Sequence, residues 1–136
     1  MMAKSIESVL YYNPGTPETA KHAPLLKSVL VRMGVRIRNI GPEQVGETVG
    51  FLAGLPGFEA GTTAGEEIPV IPEEMLVMKQ FSSRRLDELL LNLRKAGVPR
   101  IALKAVVTEQ NAQWPFYSLY QELRKEHEAM HGGEGR

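Results

Sequence analysis

The sequence predicts a single α/β domain: a four-stranded, mostly parallel sheet in the order 2-1-3-4, with helices on both faces in a three-layer arrangement. Three observations lead there. A chain of 136 residues with 43% apolar content is near the commonest domain size and long enough to bury a core without a metal or disulfide staple. Strand-like and helix-like segments alternate four times, the pattern of βα units. A weak internal echo, LLKSVLVRMGVRI from Leu25 and LLLNLRKAGVPRI from Leu89, reads as one helix-to-strand joint used twice, which supports βα units rather than duplication.

The first strand is expected at Ile6 to Tyr12, where β-branched and aromatic residues stop at the turn signal Asn13-Pro14-Gly15. Thr16 or Thr19 caps the first helix, whose inward stripe is Ala23, Leu26, Leu30 and Met33. Pro24 lacks an amide hydrogen, so the regular part is expected to begin near it or to kink there, and Gly34 closes the helix. Val35 to Ile40 alternates as V-R-I-R-N-I and suits a sheet edge, where its arginines reach water. Gly41-Pro42-Glu43 opens a second helix with Val45, Val49 and Leu52 inward. Gly46, Gly50 and Gly54 recur every fourth residue along it and allow either tight packing on the sheet or the approach of a partner.

Residues 55–72 carry glycine and proline without periodicity and are expected to form an irregular, disordered loop. It is no phosphate-binding loop, because Gly65 is followed by Glu66 and Glu67 rather than lysine and a hydroxyl residue. Glu74 to Phe81 forms the third strand. Ser82 caps a third helix with Leu86, Leu89, Leu90 and Leu93 inward, ended by Gly97 and Pro99. The fourth strand is Arg100 to Val107. The fourth helix runs from Pro115 to Met130, with Phe116, Leu119, Tyr120 and Leu123 inward. The domain is expected to span residues 1–131, with 132–136 a disordered tail.

Composition excludes several function classes. There is no cysteine, so thiol catalysis, disulfide frameworks and thiolate metal sites are absent. No apolar run is long enough to span a bilayer and no secretory h-region is read at the start, so no membrane association and a cytoplasmic location are expected. The 16 basic and 16 acidic residues cancel, but unevenly. Residues 1–40 hold six bases against two acids, 41–78 seven glutamates and no base, and 79–104 seven bases against two acids. Without a domain-wide basic excess, nucleic acid is not an expected partner.

The residues match a known family. VLYYNP at Val9 to Pro14, VGFLAGL at Val49 to Leu55, MLVMKQFS at Met75 to Ser82, LDELLLNLRKAGVPRIALKAVVT at Leu86 to Thr108, then Asn111, Trp114 and LYQEL at Leu119 to Leu123, resemble an uncharacterised bacterial family, domain of unknown function 3783. The resemblance spans nearly the whole domain, and Leu86 to Thr108 is its most specific part. It implies a small bacterial α/β protein, and no catalytic assignment, substrate or cofactor.

In an open parallel sheet, ligands settle beyond the carboxyl ends of the strands where strand order reverses. With order 2-1-3-4 that rim would be lined by Asn13 and Thr16, Ser82 and Ser83, and Lys104 with Thr108, and Asn111 lies on the following loop. The lysine and free helix amides there would suit an anion. The structural alternative gives Asn13 to a turn, Ser82 to a helix cap and Lys104 to a glutamate. A phosphoacceptor site is excluded, since Asp87, inside a helix, is the only aspartate. His127-Glu128-Ala129-Met130-His131 is a literal H-E-x-x-H, but only a short tail follows to supply a third ligand, so adventitious metal binding by His127 and His131 is the most expected of it, and no cofactor is expected. Trp114, Phe116, Tyr117 and Tyr120 read as core rather than a base-stacking platform. The residues favour a noncatalytic interaction or regulatory module acting through a protein partner or self-association. The alternative is an anionic-ligand protein or enzyme with its site at the strand ends.

Overall fold

Val9, Leu10, Tyr11 and Tyr12 are all buried, so β1 (Ser8–Tyr12) is covered on both faces and lies inside the sheet. The computed structural model describes residues 7–59, 70–99, 101 and 103–133, with side chains as far as residue 128. Around β1 stand β2 (Arg36–Ile40), β3 (Met75–Lys79) and β4 (Leu103–Val106), in the predicted order β2-β1-β3-β4. β1 runs parallel to β2 and β3 parallel to β4, so the sheet is mostly parallel. The central pair differs. β1 and β3 are antiparallel, with Ser8 opposite Lys79 and Tyr12 opposite Met75, and the sheet is mixed.

Each helix is positioned by its caps. α1 (Pro17–Arg32) starts with Pro17 in its first turn and the Thr16 side chain accepting from the Thr19 amide. Pro24 lies inside this helix rather than at its start. It is exposed, as is Ala20, to whose carbonyl Pro24 has no N–H to donate. α1 and α3 (Ser83–Lys95) end in the same way. Val35 N–H donates to the Leu30 carbonyl and Val98 N–H to that of Leu93, with Gly34 and Gly97 at φ of 75° and 88°. The L-x-x-x-G-V joint explains the echo seen in the sequence.

The second helix is much shorter than its pattern suggests. A 3₁₀ turn at Pro42–Gln44 is followed by α2 (Val49–Leu52), four residues capped by Thr48. The glycines do not make a continuous ridge: Gly54, at φ 77°, turns the chain after α2, while Gly50 lies under the ring of Phe58, where a Cβ would come within 2.6 Å of it. What meets Gly50 most closely is the chain's own phenyl ring, from the stretch after α2, rather than the sheet expected from the sequence. The expected irregular stretch 55–72 shows no helix or strand in its described parts, and residues 60–69 lie outside the described residues. Its far end is anchored, with Ile71 fully buried and its carbonyl accepting from the Tyr12 hydroxyl at 2.8 Å. α4 (Phe116–Gly133) continues through Gly132 and Gly133, two residues assigned from sequence to the tail; 134–136 lie outside the described residues.

α1 and α3 share one face of the sheet, where Leu26, Leu30, Leu89 and Leu93 meet Val9, Tyr11, Leu76 and Met78. α2 and α4 share the other, where Leu52, Phe116 and Leu119 meet Leu10, Tyr12, Met75 and Val77. The chain is therefore two βαβα units related by an approximate two-fold axis through the antiparallel β1–β3 pair, between Leu10 and Val77. Registers agree, Ser8 opposite Arg36 in one unit and Met75 opposite Leu103 in the other. The axis also passes between Thr48 and Pro115, the residues preceding α2 and α4. Val49 N–H donates to the Trp114 carbonyl and Phe116 N–H to the Glu47 carbonyl, each at 2.8 Å.

Candidate functional site

The antiparallel centre divides the residues expected on one rim. Asn13 and Thr16 follow β1 at the end of the sheet where β3 begins. Ser82, Ser83, Thr108 and Asn111 follow β3 and β4 at the opposite end. Lys104, across from Leu76, sits nearer the first group. The polar atoms of Asn13, Ser82, Lys104 and Asn111 bond to groups close by in the chain. Asn13 Oδ1 accepts from the Gly15 amide at 2.8 Å and the Thr19 hydroxyl at 2.6 Å. Ser82 caps α3 through the Arg85 amide, Ser83 is its first residue, and Lys104 Nζ donates to the Ile101 carbonyl. Asn111 is buried and closes its own turn, accepting from the Thr108 amide and donating to the Val106 carbonyl. No single cleft gathers these residues. Among the described residues no three His, Asp or Glu side chains form a metal-binding group, and the His131 side chain lies outside those described.

A polar cluster that sequence reading missed lies near the β1 tip. The Tyr11 hydroxyl donates to Glu74 Oε2, and His22 Nε2 bonds the same oxygen at 2.6 Å, with the His22 and Glu74 side chains about nine-tenths buried. The three residues are too far apart in sequence for any spacing rule to join them. On the other side of the pseudo-axis, Glu7 holds an equivalent place and is bound by Arg85 of α3 through Nε and Nη2, while Arg85 also donates to the Met33 carbonyl. Each unit's strand-entry glutamate is therefore clamped by the other unit's first helix, a fold-joining role.

Burial is the main cause that pushes the Tyr11 phenol up, and the hydrogen bond and negative charge of Glu74 act in the same direction. The fold keeps this phenol protonated, whereas in the unfolded chain it ionises near its ordinary value of about 10. Its contribution to stability is full below that pH and is lost as pH rises further. The urea midpoint is therefore expected to fall steeply above about pH 10, and to fall less steeply in Tyr11→Phe.

An accessible basic concavity lies on the α2/α4 face. Arg36 and Arg38 of β2 and Lys79 of β3 project on this side of the sheet, around a concavity of about 490 Å³ that is also lined by Ser8, Leu52, Gly54 and Gln80. Arg36 and Arg38 are exposed. The Arg38 guanidinium lies 5.8 Å from the Phe51 ring centroid, and Lys79 Nζ donates to the Ala53 carbonyl at 3.0 Å, tying the end of α2 to β3. Gln80 adopts φ 66°, the only described residue other than glycine in the left-handed region. Arginines alternating in V-R-I-R-N-I were legible as one face of an edge strand. That Lys79 joins them, and that α2 stops short of covering them, was not.

Residues 74–130 match the family model described as a domain of unknown function (DUF3783). Over these residues the chain is similar to that domain family. The DUF3783 match coincides with the second βαβα unit, from the entry to β3 to the body of α4. It is narrower than the nearly chain-wide resemblance read from the sequence: VLYYNP and VGFLAGL lie in the first unit, outside the DUF3783 match. No curated protein and no solved structure matches the chain. No helix among the described residues is long and apolar enough to cross a membrane.

Proposed function

We propose that this protein is a noncatalytic interaction module of the bacterial cytoplasm that holds an acidic partner on the basic quarter of its sheet, which the described residues leave uncovered. The observation that carries the reading is the convergence of Arg36, Arg38 and Lys79 from two strands on one open concavity. Three cations on a rigid sheet face raise the local concentration of an anionic partner and steer its approach. Fixing the long side chains costs little further order where Arg38 lies over Phe51 and Lys79 is bonded to Ala53. Gln80, in a sparsely populated conformation on the wall, is the kind of local strain that collects at binding sites. A strand-end site gains no such support, because its residues are spread over both ends and used by turns and caps.

The test is titration with polyglutamate, followed by backbone amide NMR. Shifts are expected at Arg36, Arg38, Lys79 and Gly54, weakening with salt. Arg36→Gln with Arg38→Gln removes two exposed charges, and is expected to weaken binding about tenfold while leaving the melting temperature within a few degrees. Undiminished binding by the double variant, or shifts located elsewhere, would overturn the proposal.

A further inference from the structure

We infer that the occupant of this basic quarter is an acidic amphipathic helix of a partner protein, seated where the pseudo-two-fold axis places the counterpart of α4; this rests on the reading just proposed. The argument starts from the two units themselves. α2 and α4 begin at equivalent points, bridged across Thr48 and Pro115. From there α4 crosses its half of the sheet toward the entry of β3, where Tyr120 and Arg124 both bond to Glu73. The same operation would carry a longer α2 over β1 and β2 toward Ser8 and Arg36. Instead α2 ends at Leu52, Gly54 turns the chain away, and the concavity occupies the vacated place.

The sheet beneath the two places differs in a telling way. Under α4 the chain presents Met75, Val77, Leu103 and Ala105, which bury its apolar side chains. The equivalent positions of the first unit are Ser8, Leu10, Arg36 and Arg38. An all-apolar helix laid there would strand two guanidinium groups, at a cost no apolar contact recovers. A helix with carboxylates beside a narrow apolar stripe satisfies them, the stripe resting on Phe51 and the aliphatic stems of the cations. The spacing suits it. Residues two apart on a strand, as Arg36 and Arg38 are, lie about 6.6 Å apart, and glutamates at i and i+4 of a helix lie about 6 Å apart along its axis. Each pair can then form the bidentate arginine–carboxylate contact.

The probe is a synthetic peptide of residues 116–128, the helix already shaped for this sheet, carrying Arg124→Glu and Lys125→Glu, with α-aminoisobutyrate at positions 118 and 121 to hold it helical. Its control has the same charges with Ser118→Pro and Gln121→Pro instead. The helical peptide is expected to shift Arg36, Arg38, Lys79 and Gly54, to bind about tenfold more tightly than the control, and to lose about tenfold in the Arg36→Gln, Arg38→Gln double variant. Equal binding of helical and proline peptides, or no peptide binding where polyglutamate still shifts these residues, overturns the helical occupant and leaves the basic site standing. Failure of polyglutamate as well overturns both. Shifts at these residues with a single-stranded RNA oligonucleotide, and none with the helical peptide, overturn the protein partner.

Discussion

Replacing Glu74 by alanine is expected to cost about 3 kcal/mol of stability, the scale of leaving buried polar groups without their partner, and to lower the melting temperature by about 10 °C for a domain of this size. The Tyr11 hydroxyl and the His22 ring nitrogen both depend on one Glu74 oxygen, in a place where water has little access. Alanine leaves the two groups without that acceptor and removes a clamp between β3 and α1. Glu74→Gln keeps an oxygen in place for one of them, and is expected to cost less than half as much. Urea denaturation of the two variants and of Tyr11→Phe measures the difference. If Glu74→Ala unfolds at the wild-type midpoint, the cluster has no stabilising role.

Phe116→Ala is expected to be the most damaging single truncation on the other face, at about 4 kcal/mol. Phe116 is fully buried, its ring centroid is 6.2 Å from that of Tyr12, and its amide bonds the Glu47 carbonyl on the pseudo-axis. Truncation opens a cavity at the point where the second halves of both units meet. The cost cannot be recovered by local collapse, because the backbone on both sides is held by the Thr48–Pro115 bridge. Phe116→Leu refills most of the volume and is expected to lose about 1.5 kcal/mol. Thermal unfolding followed by calorimetry checks both. Similar losses for alanine and leucine would show that packing at this position is not limiting.

Most of the local structure was legible in the chain. Thr16, Ser82, Gly34 and Gly97 marked helix ends because caps and left-handed closures are made within a few residues, where side-chain chemistry alone decides. The second helix was misjudged for the complementary reason. Val45, Val49 and Leu52 are all buried as expected, but Val45 reaches the core from a turn rather than from a helix. An apolar spacing of that kind reports burial before it reports backbone. The candidate rim failed as one site because the antiparallel β1–β3 pair sends its members to opposite ends, and most of them serve turns or caps, which use the same residue types that suit a polar ligand.

The order of elements, their caps, the buried faces and the arginine pair on an edge strand were determined by the sequence itself, since each follows from neighbours in the chain. The direction of β3 against β1 was decided only by the tertiary structure. Both strands are apolar on both faces, SVLYY and MLVMK, and such strands bury equally well either way up, while backbone hydrogen bonds are blind to side-chain identity. That one choice sends the strand tips to opposite ends, joins Tyr11 and His22 to Glu74, and sets Lys79 beside the arginines of β2.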